Sequence, residues 1–256
     1  GEGQWPVAAA RAFEVWEQIG VSWGSDEGLI TLSAEDFHLP QSPHSSLDPL
    51  LSAYLLVMPA FHGGEVTLRG VFPQAAPEAR RVMDMCAQVG VHISVGEGEV
   101  RSWREQALPQ RAGFQCTDVP ELTPLALALA VAVSGESSLG IGSGEDLDFA
   151  THVLSRLGLE SEQKTPGDIL VRPARGRQAE VLEVTVPDAY WGMGLALIAL
   201  TGAEVCIKNP GMLTGLWPQF WTVFKDLPSP GQAQASKGGK REETGDRKKR
   251  RRRIVD

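Results

Sequence analysis

The sequence has few of the features that mark membrane, disulfide-stabilised or metal-binding proteins. No apolar run reaches the roughly 18 residues that span a bilayer, and no secretory signal pattern is visible. The three cysteines (Cys86, Cys116 and Cys206) are too scattered to indicate a disulfide framework or a zinc site. The five histidines form no pair four residues apart. We therefore expect a globular cytoplasmic protein that binds no metal and has no membrane partner.

Charge is unevenly distributed along the 256 residues, and nucleotide-binding motifs are lacking. Residues 231–256 hold ten basic and four acidic residues, a net charge of +6, whereas residues 1–230 hold 14 basic and 28 acidic residues, a net charge of −14. A body with this charge disfavours nucleic acid or a doubly anionic substrate unless Lys and Arg are locally concentrated. No phosphate-binding loop or dinucleotide motif follows a predicted strand, so we expect no nucleotide cofactor.

A pattern of about seventy residues recurs along the body of the chain. Residues 50–68, 125–141 and 194–207 each predict a wholly apolar helix, a glycine that ends it and a short strand. An amphipathic helix and two strands follow the first two of these segments. A helix that is apolar all round is predicted to be buried on all sides. The repeated unit is therefore strand, buried helix, strand, amphipathic helix and two strands.

The spacing of the units predicts how the chain is divided. The chain opens with the second half of a unit, and its helix-ending glycines are 70 and 68 residues apart (Gly20, Gly90 and Gly158). We expect residues 1–35 to be the closing helix and hairpin of a missing N-terminal domain and residues 36–228 to be a domain of three units. Residues 229–256 are predicted to form a disordered basic tail. Its run at 247–253 is either a tether to nucleic acid or a solvated segment without a specific partner.

Four stretches carry a resemblance to a known family. They are Ser45-Ser46 before a buried helix that leads to Gly63-Gly-Glu-Val-Thr-Leu-Arg-Gly70, then Asp118-Val-Pro-Glu-Leu122, Asp188 five residues before Met193, and Leu216-Trp-Pro-Gln-Phe220. In this order they resemble the C-terminal domain of the 5-enolpyruvylshikimate-3-phosphate (EPSP) synthase family, the 3-phosphoshikimate 1-carboxyvinyltransferases. The resemblance implies an α/β fold, an inside-out α/β barrel of three βαβαββ repeats with helices inside and sheets outside.

The family resemblance also implies a reaction. Members transfer the enolpyruvyl group of phosphoenolpyruvate to the 5-hydroxyl of shikimate 3-phosphate and release phosphate, in the biosynthesis of aromatic amino acids. They use no metal or organic cofactor, and their active site lies in the cleft between two domains. The implied partners are therefore the two small-molecule substrates and a second domain.

The resemblance assigns roles to six residues of this sequence. Glu121 takes the position of a general base towards the sugar hydroxyl, although an acid there also complements the dipole of the following helix. The pair Ser45 and Ser46 is either phosphate-binding or a helix cap. The other substrate-binding candidates are acidic and follow predicted strands: Asp118, Glu145 and Asp188.

The cations that the family places in this domain are missing from the sequence. Tyr190 stands where the family has an Arg, Gly215 stands where it has a Lys, and residues 142–146 keep one of the motif's charged groups, the carboxylate of Glu145. Loss of one buried Arg–anion contact costs about 2–5 kcal/mol. We therefore predict that the isolated chain is inactive. The alternatives are a transferase or a fragment of one, a non-catalytic descendant that acts as a binding or scaffold domain, and a tether formed by the basic tail.

Overall fold

The computed structural model describes residues 7–26, 29–39, 46–142, 144–173 and 180–227. The predicted basic tail and Ser45 lie outside these ranges. The first described element is helix α1 (Val7–Gln18), and the antiparallel hairpin of strands β1 (Ser22–Asp26) and β2 (Leu29–Ser33) follows it. This is the helix and hairpin that the sequence predicts for the half unit.

The first full unit contains a sheet of three strands in the order β3-β5-β4. Its first strand is reduced to one parallel bridge between Ser46 and Val71. The elements in chain order are α2 (Pro49–Leu56), α3 (Met58–His62), β3 (Glu65–Arg69), α4 (Pro77–Gln88), β4 (Val91–Gly96) and β5 (Glu99–Arg104). The single apolar helix predicted near residues 50–61 is thus divided at Val57. The division is explained by Pro59, which has no N–H to continue the first helix.

The second unit is complete, with a four-stranded sheet in the order β6-β7-β9-β8. Strands β6 and β7 are parallel, and the other pairs are antiparallel. A short 3-10 turn precedes the buried helix of this unit. The elements are β6 (Arg111–Gln115), the 3-10 turn (Pro120–Leu122), α5 (Thr123–Ala132), β7 (Glu136–Gly140), α6 (Glu145–Arg156), β8 (Leu159–Thr165) and β9 (Asp168–Pro173).

The third unit has its first two strands, which pair in parallel, and both helices. Its elements are β10 (Leu182–Val184), α7 (Ala189–Leu200), β11 (Val205–Ile207), a 3-10 turn (Pro210–Leu213) and α8 (Phe220–Asp226). Helix α8 begins at Phe220, directly after a turn that contains Pro218. No hairpin follows α8 within the described residues.

The three apolar helices α2, α5 and α7 contact one another directly or through α3. Helix α7 is buried along almost its whole length. It approaches α5 so closely that a Cβ at Gly194 would lie 2.6 Å from the carbonyl oxygen of Pro124. The four-stranded sheet of the second unit packs one side against this helical centre: Phe114, Leu139 and Val171 are at most 2% exposed. The mixed α/β organisation predicted from the sequence is confirmed.

The amphipathic helices end as their sequences predict. Gly20, Gly90 and Gly158 follow α1, α4 and α6 with φ angles of 74°, 70° and 73°. Backbone in this left-handed region is strained for residues with a side chain, so glycine is the residue that ends these helices at lowest cost. Within the described part of the chain, no helix is both long and apolar enough to cross a membrane.

Candidate active-site face

Four of the predicted site residues follow the first or second strand of a unit. Asp118 and Glu121 follow β6, Glu145 follows β7, and Asp188 follows β10. Since β6 and β7 are parallel, their carboxyl ends lie at one edge of the sheet, which is where ligands bind in open α/β sheets. We call the segments after strands β3, β6, β7, β10 and β11 the strand-end face. They are residues 70–76, 116–122, 141–142, 144–146, 185–188 and 208–214.

An ion pair joins the first and second units at this face. Arg81 of α4 donates from Nη2 to Asp118 Oδ2 at 2.5 Å. The hydrogen bond from Arg81 lowers the pKa of Asp118 and raises that of the guanidinium. Sequence analysis did not select Arg81, because its partner lies 37 residues further along the chain and only the fold brings the two together.

A partly buried hydrogen bond joins the second and third units. Asp188 Oδ1 accepts from the backbone N–H of Trp191 at 2.9 Å and so caps α7. The indole Nε1 of Trp191 donates to Asp146 Oδ1 at 2.8 Å, and the ring packs edge-on against Phe149. Trp191 is 1% exposed. Asp188 and Asp146 therefore hold the start of α7 in place, whatever else they contact.

Two aromatic rings pack together at the start of α7. Tyr54 of α2 is fully buried, and its hydroxyl donates to the carbonyl oxygen of Tyr190 at 3.2 Å. The two rings are stacked with centroids 6.4 Å apart. Burial, and then the negative charge of Asp188, raises the pKa of Tyr54 well above its ordinary value. The hydroxyl is thus neutral and serves as a structural donor.

The thiol nearest to the face is unsuited to nucleophilic chemistry. Cys116 is 1% exposed at the end of β6. Its burial raises the pKa of the thiol to about 12, although the neighbouring Arg81 lowers it in part. A thiol with this pKa holds almost no thiolate at neutral pH. No group of His, Cys, Asp or Glu within the described ranges is arranged to hold a metal ion.

Ser46, one of the predicted site residues, lies in a short bridge and does not cap helix α2. Ser46 forms the bridge to Val71. The cap of α2 is Asp48, whose Oδ1 accepts from the N–H groups of Leu50 and Leu51 at 2.8 and 3.2 Å. The helix-cap interpretation is therefore wrong for Ser46, because the chain reaches the helix two residues later.

The two remaining glutamates are exposed at helix starts. Glu121 lies in the 3-10 turn before α5, and Glu145 is the first residue of α6. Both carboxylates complement the positive end of the helix that they precede or begin. Their predicted roles towards substrate stay predictions.

The strand-end face carries a net negative charge. Its described segments contain five acidic residues against one basic residue. That residue, Lys208, is paired with Glu183 at 3.5 Å, and Arg81 reaches the face from α4 already paired with Asp118. The acidic residues are Asp118, Glu121, Glu145, Asp146 and Asp188.

The arrangement of units defines the structural class of the enolpyruvyl transferases. The enolpyruvyl transferase NikO from Streptomyces tendae superposes with a TM-score of 0.58 at 15% identity, over 82% of this chain and 51% of that chain. An EPSP synthase from Acinetobacter baumannii superposes with a TM-score of 0.56 at 14% identity, over 84% of this chain and 54% of that chain. The chain thus spans about half the length of these structures. At such identities the likeness shows the fold.

The family is shown by the sequence of the three units themselves. Residues 44–224 match the family model for EPSP synthase (3-phosphoshikimate 1-carboxyvinyltransferase). The chain belongs to this family. No curated protein matches it.

Proposed function

We propose that this chain is an EPSP synthase-like domain that does not catalyse the family reaction on its own and acts as a binding or scaffold domain. The observation that carries the proposal is the charge of the strand-end face. Its five carboxylates face one Lys and one Arg, and both cations are already paired. A negatively charged face repels the two phosphates and the carboxylate that the family's substrates carry.

The magnitude of the missing interactions supports the same conclusion. Forked Arg–oxyanion hydrogen bonds are the strong contacts available to phosphate and carboxylate groups. Each buried contact of this kind that is lost costs about 2–5 kcal/mol, which is roughly 30-fold to several thousand-fold in affinity or rate. Tyr190 cannot replace such a contact, since its ring packs against Tyr54.

A second candidate is the family reaction itself, carried out together with another domain. It is favoured by the family match and by the length of the chain, which is about half that of the superposed transferases. In this case the chain supplies one wall of the site. Glu121 is the proposed general base, and Ser45, Ser46, Asp118, Glu145 and Asp188 are the proposed substrate contacts. Arg81 is the described guanidinium that reaches this wall.

Phosphate release separates the two candidates. The chain is incubated with shikimate 3-phosphate and phosphoenolpyruvate, alone and together with the separately produced N-terminal domain of an active EPSP synthase, beside a Glu121→Gln variant. We expect no release above background in either protein, because the required cations are absent. Turnover of about 1 per second or faster that is lost in Glu121→Gln would establish the second candidate and refute the first.

A further inference from the structure

A pocket of about 310 Å³ opens on the outer side of the four-stranded sheet of the second unit. Small-molecule sites in proteins usually measure about 300–1,000 Å³, so this volume suits a small ligand. The pocket lies where β6 and β7 begin, since the first residue of each strand, Arg111 and Glu136, is part of its lining. The strand-end face lies at the other ends of these strands. The pocket is therefore separate from that face and from the proposed function.

Small residues form the floor of the pocket. Gly113 of β6 and Ser138 of β7 lie directly opposite each other. They are on the side of the sheet that faces away from the buried side chains of Phe114 and Leu139. A Cβ at Gly113 would lie 3.0 Å from Ser138 Oγ, so a larger residue at this position would close the space. Glycine inside a strand is typical of places where a ligand approaches the backbone closely.

The walls of the pocket combine apolar and polar groups. Leu170 of β9 lies opposite Ser138 and is half-buried, so its side chain supplies an aliphatic surface. Gln88, the last residue of α4, supplies an amide. A small-molecule site of this kind takes apolar contact from its walls and orientation from a few polar groups.

Two opposite charges stand next to each other at the edge of the pocket. Arg111 and Glu136 are opposed in the register of β6 and β7. Glu136 Oε2 accepts from Arg172 Nε at 2.8 Å, which leaves its Oε1 to accept from a ligand. Within the described part of the chain, no side-chain hydrogen bond or ion pair involves Arg111. Its guanidinium therefore has all of its donors available.

The two charges together select a ligand that carries one charge of each sign. The hydrogen bond from Arg172, and to a smaller extent the charge of Arg111, lowers the pKa of Glu136, so this carboxyl is ionised at neutral pH. A simple anion on Arg111 would face the carboxylate of Glu136, and a simple cation would face the guanidinium. A zwitterion satisfies both groups. It also has no net charge, so the −14 charge of residues 1–230 does not repel it.

We propose that this pocket binds a free α-amino acid with an aliphatic side chain of about the size of leucine. Arg111 donates to the α-carboxylate, and Glu136 accepts from the α-ammonium group. The aliphatic side chain packs against Leu170, above the small residues of the floor. Nothing larger than hydrogen or a hydroxymethyl group projects from Gly113 and Ser138, so the ligand can reach the sheet itself.

Titration of the full chain with three related probes tests the choice of ligand. L-Leucine carries both charged groups, 4-methylpentanoate lacks the ammonium group, and 3-methylbutylamine lacks the carboxylate. Isothermal titration calorimetry should show one leucine site per chain with a Kd of about 0.1–1 mM. The other two probes should bind about tenfold more weakly or worse, because each lacks one charge-assisted contact. Absence of saturable leucine binding below about 10 mM, or equal binding of leucine and 4-methylpentanoate, would overturn the proposal.

Matched variants locate the binding. Arg111→Gln should weaken leucine binding about tenfold and leave that of 3-methylbutylamine unchanged, because the amine has no carboxylate for Arg111 to bind. Arg69→Gln makes the same change at an exposed position of β3 and should bind leucine as the wild type does. Ser138→Leu fills the floor from an exposed position and should abolish binding while circular dichroism shows an intact fold. Leucine binding that survives both Arg111→Gln and Ser138→Leu would place the ligand elsewhere and overturn the proposal.

Discussion

The second and third units share a sequence pattern but differ in how much of their sheet is present. The second unit has four strands of five to seven residues, whereas the described part of the third has two strands of three residues. Their central helices are nevertheless alike, since α5 and α7 are both buried along almost their entire length. Within the described residues, the two units thus share a packed helical centre and differ in the outer layer of strands.

Truncation of an isoleucine in each of the two sheets should give the largest contrast. Ile169→Ala in β9 removes a side chain that is 2% exposed and should cost about 2–5 kcal/mol of unfolding free energy, because it leaves a cavity. Ile207→Ala makes the same change in β11, where the side chain is half-buried, and should cost about 1 kcal/mol. Urea unfolding of both variants measures the difference. Equal costs for the two variants would contradict this contrast, because they would show that the side chain of Ile207 is as deeply buried as that of Ile169.

Loss of the hydrogen bond between Trp191 and Asp146, which joins the second and third units, should have the next largest effect on the free energy of unfolding. Asp146→Ala leaves the indole N–H of Trp191 buried without its carboxylate acceptor, and we expect a loss of about 1.5–3 kcal/mol. Glu145→Ala is the matched control, since it removes a carboxylate from the same first turn of α6 without touching Trp191. Its cost should be about 0.3–1 kcal/mol through the helix dipole.

A double-mutant cycle with Trp191→Phe isolates the hydrogen bond. In the Trp191→Phe background the indole donor is absent, so Asp146→Ala should cost about as little as Glu145→Ala does. If Asp146→Ala is equally costly with and without the indole, Asp146 stabilises the protein in some other way and this contact does not join the units.

The comparison of the units also shows what the sequence could predict. Helix-ending glycines and all-apolar helices are local signals, so the order of elements followed from the sequence and the three left-handed glycines confirmed it. The break at Val57 was missed because the apolar pattern continues through Pro59. Strand order within a sheet depends on pairing between distant segments, and no local pattern reports it.

The candidate face was predicted less well than the fold, for a physical reason. Asp118 and Asp188 were selected because of the family resemblance, and their predicted roles towards substrate stay predictions. Their contacts with Arg81 and Trp191 required the tertiary structure, because one partner is supplied by another unit and the other by a backbone N–H. Asp146 lay next to the predicted Glu145 but was not selected, since its role depends on an indole 45 residues away.

Loss of the ion pair between Arg81 and Asp118, which joins the first and second units, should have the smallest effect on the free energy of unfolding. Its side chains are 28% and 52% exposed, and surface pairs of this kind contribute about 0–1 kcal/mol. Because Arg81 lowers the pKa of Asp118 in the folded protein, the pair stabilises the fold above the unfolded carboxyl pKa of about 3.9. This stabilisation is lost as pH falls through the lowered folded pKa.

The Asp118→Asn variant tests this predicted pH dependence of stability. The variant should be less stable than wild type by under about 1 kcal/mol at pH 7, and the difference should shrink below about pH 4 as the wild-type carboxyl is protonated in both states. High salt should also reduce it, because exposed charges are screened. Glu121→Gln neutralises an exposed acid of the same segment outside the pair and is the matched control. A difference of several kcal/mol for Asp118→Asn would contradict the weak contribution expected of an exposed ion pair, and a difference that grows as pH falls would contradict the lowered pKa of Asp118.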